Sequence, residues 1–328
     1  MGPPPRRSNR KTNRSSKQSL NKKSLNDKKS MKTSLSFDSK MMMVLKHKKY
    51  DVQQQLGAGA FGIVFKAVKT DGSNTCAVKV LDYEKMSVSY QNRFLPREIE
   101  ALINCKHPNV VEVFDIFRAS NKLWIFMEFA GGGDIAGVLK KNGALPIKQA
   151  SIWFYQIGQG LNYFHEEVKM CHRDIKCDNF LLNDDRQAKL SDFGFAKCII
   201  SDKNSIQLSE TFCGTVPYEA PQVLEKIPYN GFKYDVWSMG VAFYIMLSGR
   251  FPFHMKNTDD RKASIANMLK EQKDYPGYIK SRFEEVDVEE AGQELIIRML
   301  HPNESKRPKM SEVITNKWLL TQAGSSEK

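Results

Sequence analysis

The chain has 328 residues, 41 % hydrophobic and 27 % charged, with a formal net charge of +13; that length supports one large core or two small ones. The charge is local: residues 1–50 hold fifteen Lys or Arg against Asp27 and Asp38, and the other 278 residues carry 35 basic and 35 acidic side chains. A neutral body with a basic arm argues against the nucleic-acid binder that the overall charge suggests, and no run of 18 apolar residues is present to span a membrane.

Residues 1–49 are rich in Ser, Asn and Lys and poor in aromatics. Such a segment buries too little apolar area to offset its ordering entropy, so it is read as a disordered basic tail. It has no apolar core of a signal peptide, and "MGPPPR" places Arg6 where myristoylation wants Ser or Thr. Nuclear import, an anionic surface and a plain solubilising arm all remain open for it. The expected location is cytoplasmic, with the nucleus as a second option. Cys76, Cys105, Cys171, Cys177, Cys198 and Cys213 form no CxxC pair and read as reduced thiols.

From Tyr50, "YDVQQQLGAGAFGIVFKAVKT" alternates apolar and polar residues around a glycine cluster, which predicts strand, tight turn, strand. "NTCAVKVLDY" predicts a third strand, and "SYQNRFLPREIEALINC" has helical spacing. "VVEVFDIFRA" and "KLWIFMEFA" complete an antiparallel sheet of about five strands with one helix. After "GGGD" (131–134), four segments carry apolar residues at three-four spacing, beginning with "QASIWFYQIGQGLNYFHEEV" and "KYDVWSMGVAFYIMLSG". The fold class is therefore α+β: a sheet-rich part at 50–127, a joint at 128–133, a helical part at 134–320 and a short tail at 321–328. A cleft between two such parts is a common ligand site.

Gly57, Gly59 and Gly62 of "LGAGAFGIVF" suit either a plain hairpin turn or a turn whose amides approach a phosphate. A strand follows them, which excludes the dinucleotide-binding motif. Lys79 in "CAVKV" points either to solvent or, with Glu98 as partner, into a cleft. "CHRDIKCDNF" sets Asp174, Lys176 and Asn179 within six positions, and "KLSDFGFAK" adds Asp192. Asp174, Asn179 and Asp192 offer oxygens suited to Mg²⁺, and an Asp beside a hydroxyl can orient it and accept its proton.

In order, "GAGAFGIV", "AVK", "REIEAL", "HRDIKCDN", "DFG", "YDVWSMG" and "KRPKM" resemble a eukaryotic protein kinase of the serine/threonine type over about residues 50–320. The resemblance implies a bilobal kinase fold, ATP and Mg²⁺ as cofactors, and protein substrates with Ser or Thr acceptors. It makes Asp174 the catalytic base or orienting acid, Lys176 a γ-phosphate contact, Lys79 (with Glu98) the grip on the α- and β-phosphates, and Asn179 and Asp192 the metal ligands. The nucleotide would meet the loop Leu56, Gly57, Ala58, Gly59, Ala60, Phe61 and Gly62. Adenine would lie among Leu56, Val64, Ala77 and Leu181 with the gatekeeper Met127 at the back, with backbone groups of Glu128 and Ala130 and with Asp134 at the ribose. Thr211 would be the activation-loop phosphorylation site, set by an upstream kinase or by autophosphorylation, with Arg173 as its phosphate partner. Thr215 would shape the acceptor site.

"RFLPREIE", "GTVPYEAPQVLEKIPYN" and "LIIRMLHPNESKRPKMSEVI" resemble the testis-specific serine/threonine kinases of the calmodulin-dependent-kinase-like group, which implies a sperm-development role. One position departs from the family: Gln222 follows Ala220 and Pro221 where a Glu would pair with Arg307. Asp134 and Asp178 could favour basic residues upstream of the acceptor. Ser8, Ser15 and Ser16 in the tail are candidate autophosphorylation sites. A catalytically weak pseudokinase scaffold is the alternative, with Gln222 as its hint; the five residues Lys79, Glu98, Asp174, Asn179 and Asp192 stand against it.

Overall fold

A computed structural model of the chain describes residues 2, 39–59, 62–82, 95–199, 205–254 and 260–324; for Ser39, Lys40, Gly59 and residues 95–98 it describes the backbone alone. The chain divides into two units, Met1–Lys48 and Lys49–Lys328.

In the first unit, Ser39–His47 forms a helix, α1, inside the stretch read from composition as a disordered tail. The run Met41–Leu45 is apolar and Lys46 and His47 fall in the last turn, where cations complement the negative end of the helix. The expectation of an unstructured segment to residue 49 is corrected here.

The second unit opens with the sheet: β1 (Tyr50–Gly59), β2 (Gly62–Lys69), β3 (Thr75–Asp82), β4 (Val113–Ala119) and β5 (Lys122–Glu128). The order is β1-β2-β3-β5-β4 with every pair antiparallel, as the alternation implied. On β2, Ile63, Phe65 and Ala67 are buried while their neighbours are half-buried, the period of two that a one-sided core imposes. The helix α2 (Leu95–Asn104) starts with Pro96 in its first turn, where a missing N–H is tolerated. Its Ile99 packs on Leu81 and Leu123 of the sheet.

The helical part contains α3 (Ile135–Asn142), α4 (Ile147–Glu166), α5 (Pro221–Leu224), α6 (Gly231–Ser248), α7 (Arg261–Lys273), α8 (Gly277–Ser281), α9 (Glu290–Met299), α10 (Met310–Ile314) and α11 (Lys317–Ala323). Its centre is α6, buried on every side from Tyr234 to Leu247, as expected of a helix apolar all round. Phe154 of α4 stacks on Phe243 of α6 with ring centroids 3.9 Å apart. Between α4 and α5 run four short strands: β6 (Met170–Cys171), β7 (Phe180–Leu182), β8 (Ala188–Leu190) and β9 (Lys197–Cys198), paired β6 with β9 and β7 with β8. These two small ladders fix the loops that carry Asp174, Asn179 and Asp192. All six cysteines are free thiols.

Candidate active site

One face of the sheet gathers the residues expected around a nucleotide. Val64 stands opposite Lys79, and Ala77 opposite Met127. Because directly opposed residues and residues two apart along a strand share a face, Val64, Ala77, Lys79 and Met127 line one surface. Gly57 pairs with Val64 on β1, and Leu56 beside it is 40 % exposed. Gly62 answers to a different demand from the one expected: a Cβ there would lie 2.1 Å from the Val80 carbonyl oxygen, so the residue is required by strand packing. The tip of the turn, Ala60–Phe61, lies outside the described residues.

At the joint, Glu128 donates its N–H to the Glu112 carbonyl (2.8 Å). Its carboxylate turns away and pairs with Lys189 of β8 at 2.9 Å, an ion pair that ties the sheet to the helical part and that the sequence did not suggest. Asp134 bridges to Leu181, so these two expected contacts are adjacent. The Asp134 carboxylate caps α3 by accepting from Gly137 N–H (2.7 Å), a use additional to the one expected.

The loop from His172 to Asn179 is held from beneath by Asp235 of α6. This fully buried carboxylate accepts from the backbone N–H of His172 (2.7 Å) and of Arg173 (2.8 Å), and contacts His165 Nε2 at 2.8 Å. A buried carboxylate is tolerated only with such donors. His172 is buried as well, and burial pushes its imidazole below the ordinary value. Its Nε2 donates to the Ser191 carbonyl (2.9 Å) and its Nδ1 accepts from Asp174 N–H (3.3 Å), the pattern of a neutral ring. Thus one imidazole joins the backbone before Asp192 to the backbone of Asp174. Two side chains at the site sit on left-handed backbone, Arg173 at φ 65° and Asp192 at φ 62°, and such strained non-glycine positions gather where function over-determines geometry.

Asp174 is 5 % exposed and engaged on both oxygens. Oδ1 accepts the Thr215 hydroxyl at 2.9 Å; Oδ2 lies 2.8 Å from Lys176 Nζ and 3.1 Å from Asn179 Nδ2. Lys176 Nζ also donates to Thr215 Oγ1 at 3.0 Å. A hydroxyl is therefore already held between a carboxylate and an ammonium, the contacts a phosphate acceptor needs for orientation and deprotonation. Asn179 and Asp192 come together because Ser191 N–H and Ser191 Oγ both donate to the Asn179 carbonyl at 2.9 Å.

Lys79 contacts Asp192 Oδ1 at 2.5 Å. The expected partner Glu98 lies on α2, and its side chain falls outside the described residues. Burial would raise the Asp192 carboxyl, but the charge and hydrogen bond of Lys79, then the Gly194 amide, outweigh it and hold it below the ordinary carboxylate value. A carboxylate kept ionised, beside an amide oxygen, fits Mg²⁺, a hard cation that completes its shell with water and phosphate oxygens. Among the described residues no cluster of three or more His, Cys, Asp or Glu could hold a metal by protein ligands alone. When bound, such an ion would neutralise charge on phosphate oxygens.

The activation segment places its expected residues differently from the simplest picture. Arg173 is 5 % exposed, and its Nη1 donates to Ser209 Oγ (3.2 Å) while its Nε donates to the Phe195 carbonyl (2.7 Å). Thr211 is exposed, with its carbonyl accepting from Tyr229 OH (2.9 Å). Ser209, fully buried, thus sits where the phosphate of Thr211 was expected to dock. At the far end, Gln222 Oε1 accepts from Arg307 Nη2 at 2.7 Å, so the contact survives the change of Glu to Gln.

The protein kinase domain family matches residues 50–319. Testis-specific serine/threonine-protein kinase 1 of Mus musculus is 37 % identical over 283 residues, covering 85 % of this chain and 74 % of its own length. Testis-specific serine/threonine-protein kinase 3 of Mus musculus is 34 % identical over 274 residues, covering 82 % and 96 %. CBL-interacting protein kinase 2 of Oryza sativa subsp. japonica is 32 % identical over 271 residues, covering 83 % and 58 %. With a five-stranded sheet over a helical body and the site between them, the chain belongs to the protein kinase family and is a protein serine/threonine kinase.

Proposed function

We propose that this chain transfers the γ-phosphate of Mg-ATP to Ser or Thr side chains of protein substrates, with Asp174 orienting and deprotonating the acceptor. The observation that carries this reading is the Thr215 hydroxyl held 2.9 Å from Asp174 Oδ1 and 3.0 Å from Lys176 Nζ. Lys79 would move from Asp192 to the α- and β-phosphates as the metal takes Asp192, with Asn179 as the second metal ligand. Val64, Ala77, Met127 and Leu181 would enclose adenine. Thr211 would be phosphorylated, by an upstream kinase or by the chain itself, and Arg173 would exchange Ser209 for the phosphate.

Two of the relatives are named testis-specific kinases, and a role in developing sperm cells is the physiological part of this proposal. Residence in the cytoplasm with access to the nucleus belongs to the same reading, from the basic arm. No helix among the described residues is long and apolar enough to cross a membrane. The test is phosphate transfer from labelled Mg-ATP to a generic basic protein, wild type against Asp174→Ala, with phosphosite mapping and an Asp192→Asn control. Transfer by wild type alone, with sites among Thr211, Ser8, Ser15 and Ser16, is expected. Equal label in wild type and Asp174→Ala would overturn the reading.

A further inference from the structure

Four residues beyond Thr215 stands a carboxylate with no part in phosphate transfer. Thr215 begins a short 3₁₀ turn, Val216–Tyr218, and Glu219 closes it by donating its N–H to the Val216 carbonyl at 3.0 Å. The backbone there is rigid: Gln272 Nε2, from a side chain 1 % exposed, donates to the Glu219 carbonyl at 2.9 Å, and Ser238 Oγ donates to the Tyr218 carbonyl at 3.0 Å. Tyr218 and Ala220 on either side are buried, while Glu219 is half-buried on extended backbone (φ −74°, ψ 136°), so its side chain points the other way.

Among the described residues the Glu219 carboxylate makes no ion pair or hydrogen bond. Burial raises its carboxyl above the ordinary value; the charge of Arg261, at the start of α7, opposes this and that of Asp174 adds to it. Two anions close enough to feel each other, one at the acceptor site and one making no ion pair among the described residues, form an arrangement that a further cation would stabilise. A half-buried carboxylate suits a long cationic side chain, whose head reaches the anion while its apolar stem stays on the protein surface.

The geometry points to Glu219 as a specificity-determining residue that reads a Lys or Arg of the protein substrate within two positions of the phosphorylated Ser or Thr. The distance fits: a 3₁₀ turn rises about 2 Å per residue, so Glu219 lies roughly 8 Å along the chain from Thr215. An extended substrate advances about 3.4 Å per residue from the hydroxyl at Asp174, so its first or second neighbour reaches the carboxylate. Asp134, one of the two acids considered for basic substrates from sequence, is already committed to capping α3. Asp178 is exposed. Neither shares the half-buried, unpaired state of Glu219.

The inference rests on the phosphotransfer reading, so the test separates the two. Full-length protein is assayed on a Ser-centred peptide library in which each position within two of the acceptor carries Arg, Gln or Glu. Wild type is expected to favour Arg over Gln about tenfold at one of these positions, the worth of one partly desolvated charge pair. Glu219→Gln should collapse that ratio to near one at the same position, and Glu219→Arg should shift the preference to Glu. Mg-ATP affinity and melting temperature are followed in parallel to show that the variants fold. Phosphorylated peptides with an Arg-to-Gln ratio near one at all four positions in wild type, or a ratio that survives Glu219→Gln, would overturn the role of Glu219 alone. No transfer by wild type to any peptide, with none in excess of Asp174→Ala on a generic protein, would remove both readings.

Discussion

Gln222→Glu tests how this domain carries a buried cation without a carboxylate. Arg307 is 2 % exposed. Its guanidinium donates to the carbonyls of His301 (2.7 Å), Lys233 (3.1 Å) and Pro302 (3.2 Å) and to Gln222 Oε1 (2.7 Å), and lies 4.9 Å from the centre of the Trp237 ring. Dipoles and a π face thus stand in for a counter-ion. Burial drives the guanidinium down to about 9, with the charge of Glu304 opposing. At 1.36 kcal/mol for each tenfold change, that is a burial cost of roughly 5 kcal/mol at neutral pH, before the carbonyl dipoles offset part of it.

A carboxylate at position 222, about 4 Å from the guanidinium centre, would contribute about 4 kcal/mol at an effective dielectric constant of 20. Two losses reduce the gain. Gln222 Nε2 donates to the Pro302 carbonyl at 2.6 Å, and a carboxylate oxygen there loses roughly 1–2 kcal/mol. Desolvating the carboxylate in a half-buried position costs about another 1 kcal/mol. The net is about 1–2 kcal/mol, or roughly 2–8 °C for a domain of this size. Scanning calorimetry at neutral pH should show that rise. The new carboxyl would titrate lower folded than unfolded, so the gain is full above about pH 4.3 and disappears as pH falls through the folded value. In an Arg307→Met background the same change should give no rise. A melting temperature that is unchanged or lower in Gln222→Glu would refute the account, because it would show that the dipoles already satisfy the guanidinium.

Three further outcomes follow from the same contacts. Thr211→Ala should lower kcat/KM roughly ten- to a hundredfold, the worth of one or two charge-assisted hydrogen bonds from Arg173, and undiminished activity would eliminate Thr211 as the switch. Burial lowers the imidazoles of His107, His172 and His301, so the unfolded chain binds more protons as pH falls through 6.5. Stability should fall there by up to about 1.4 kcal/mol per pH unit for each ring; urea titrations should show a shallower dependence in His172→Gln, and an unchanged slope contradicts the neutral-ring assignment. Asp235→Asn leaves donors of the catalytic loop under-satisfied and should cost about 3–5 kcal/mol in urea unfolding; a loss below about 1 kcal/mol would mean that His172 and Arg173 find other acceptors.

The parts of this molecule that were legible in its sequence are those whose physics is local. Alternation in "IVFKAV" places Ile63, Phe65 and Ala67 on one face of β2 regardless of what they pack against. Likewise, three-four spacing places Phe154, Ile157 and Leu161 in the core. Helix α1 was missed for the opposite reason: averaged over 49 residues, a basic polar composition hides the five-residue run "MMMVL" that alone argues for order. Pairings between distant loops were harder still. Lys79 meets Asp192, 113 positions away, and Arg173 meets Ser209, 36 away; each choice depends on where two loops come to rest, which neither segment encodes alone. Asp235 lies between these cases. "YDVWSMGVAFYIML" is apolar on every side, so a lone carboxylate within it must be buried and must find donors, a deduction open from sequence although the donors were not. Those donors proved to be backbone amides of His172 and Arg173, which carry no side-chain signature. Glu219 obeys the same logic with the opposite outcome. Flanked by buried Tyr218 and Ala220, it is half-buried with no hydrogen-bond donor among the described residues and only the charge of Arg261 set against its burial and the charge of Asp174, a balance that a cation arriving with the substrate would improve.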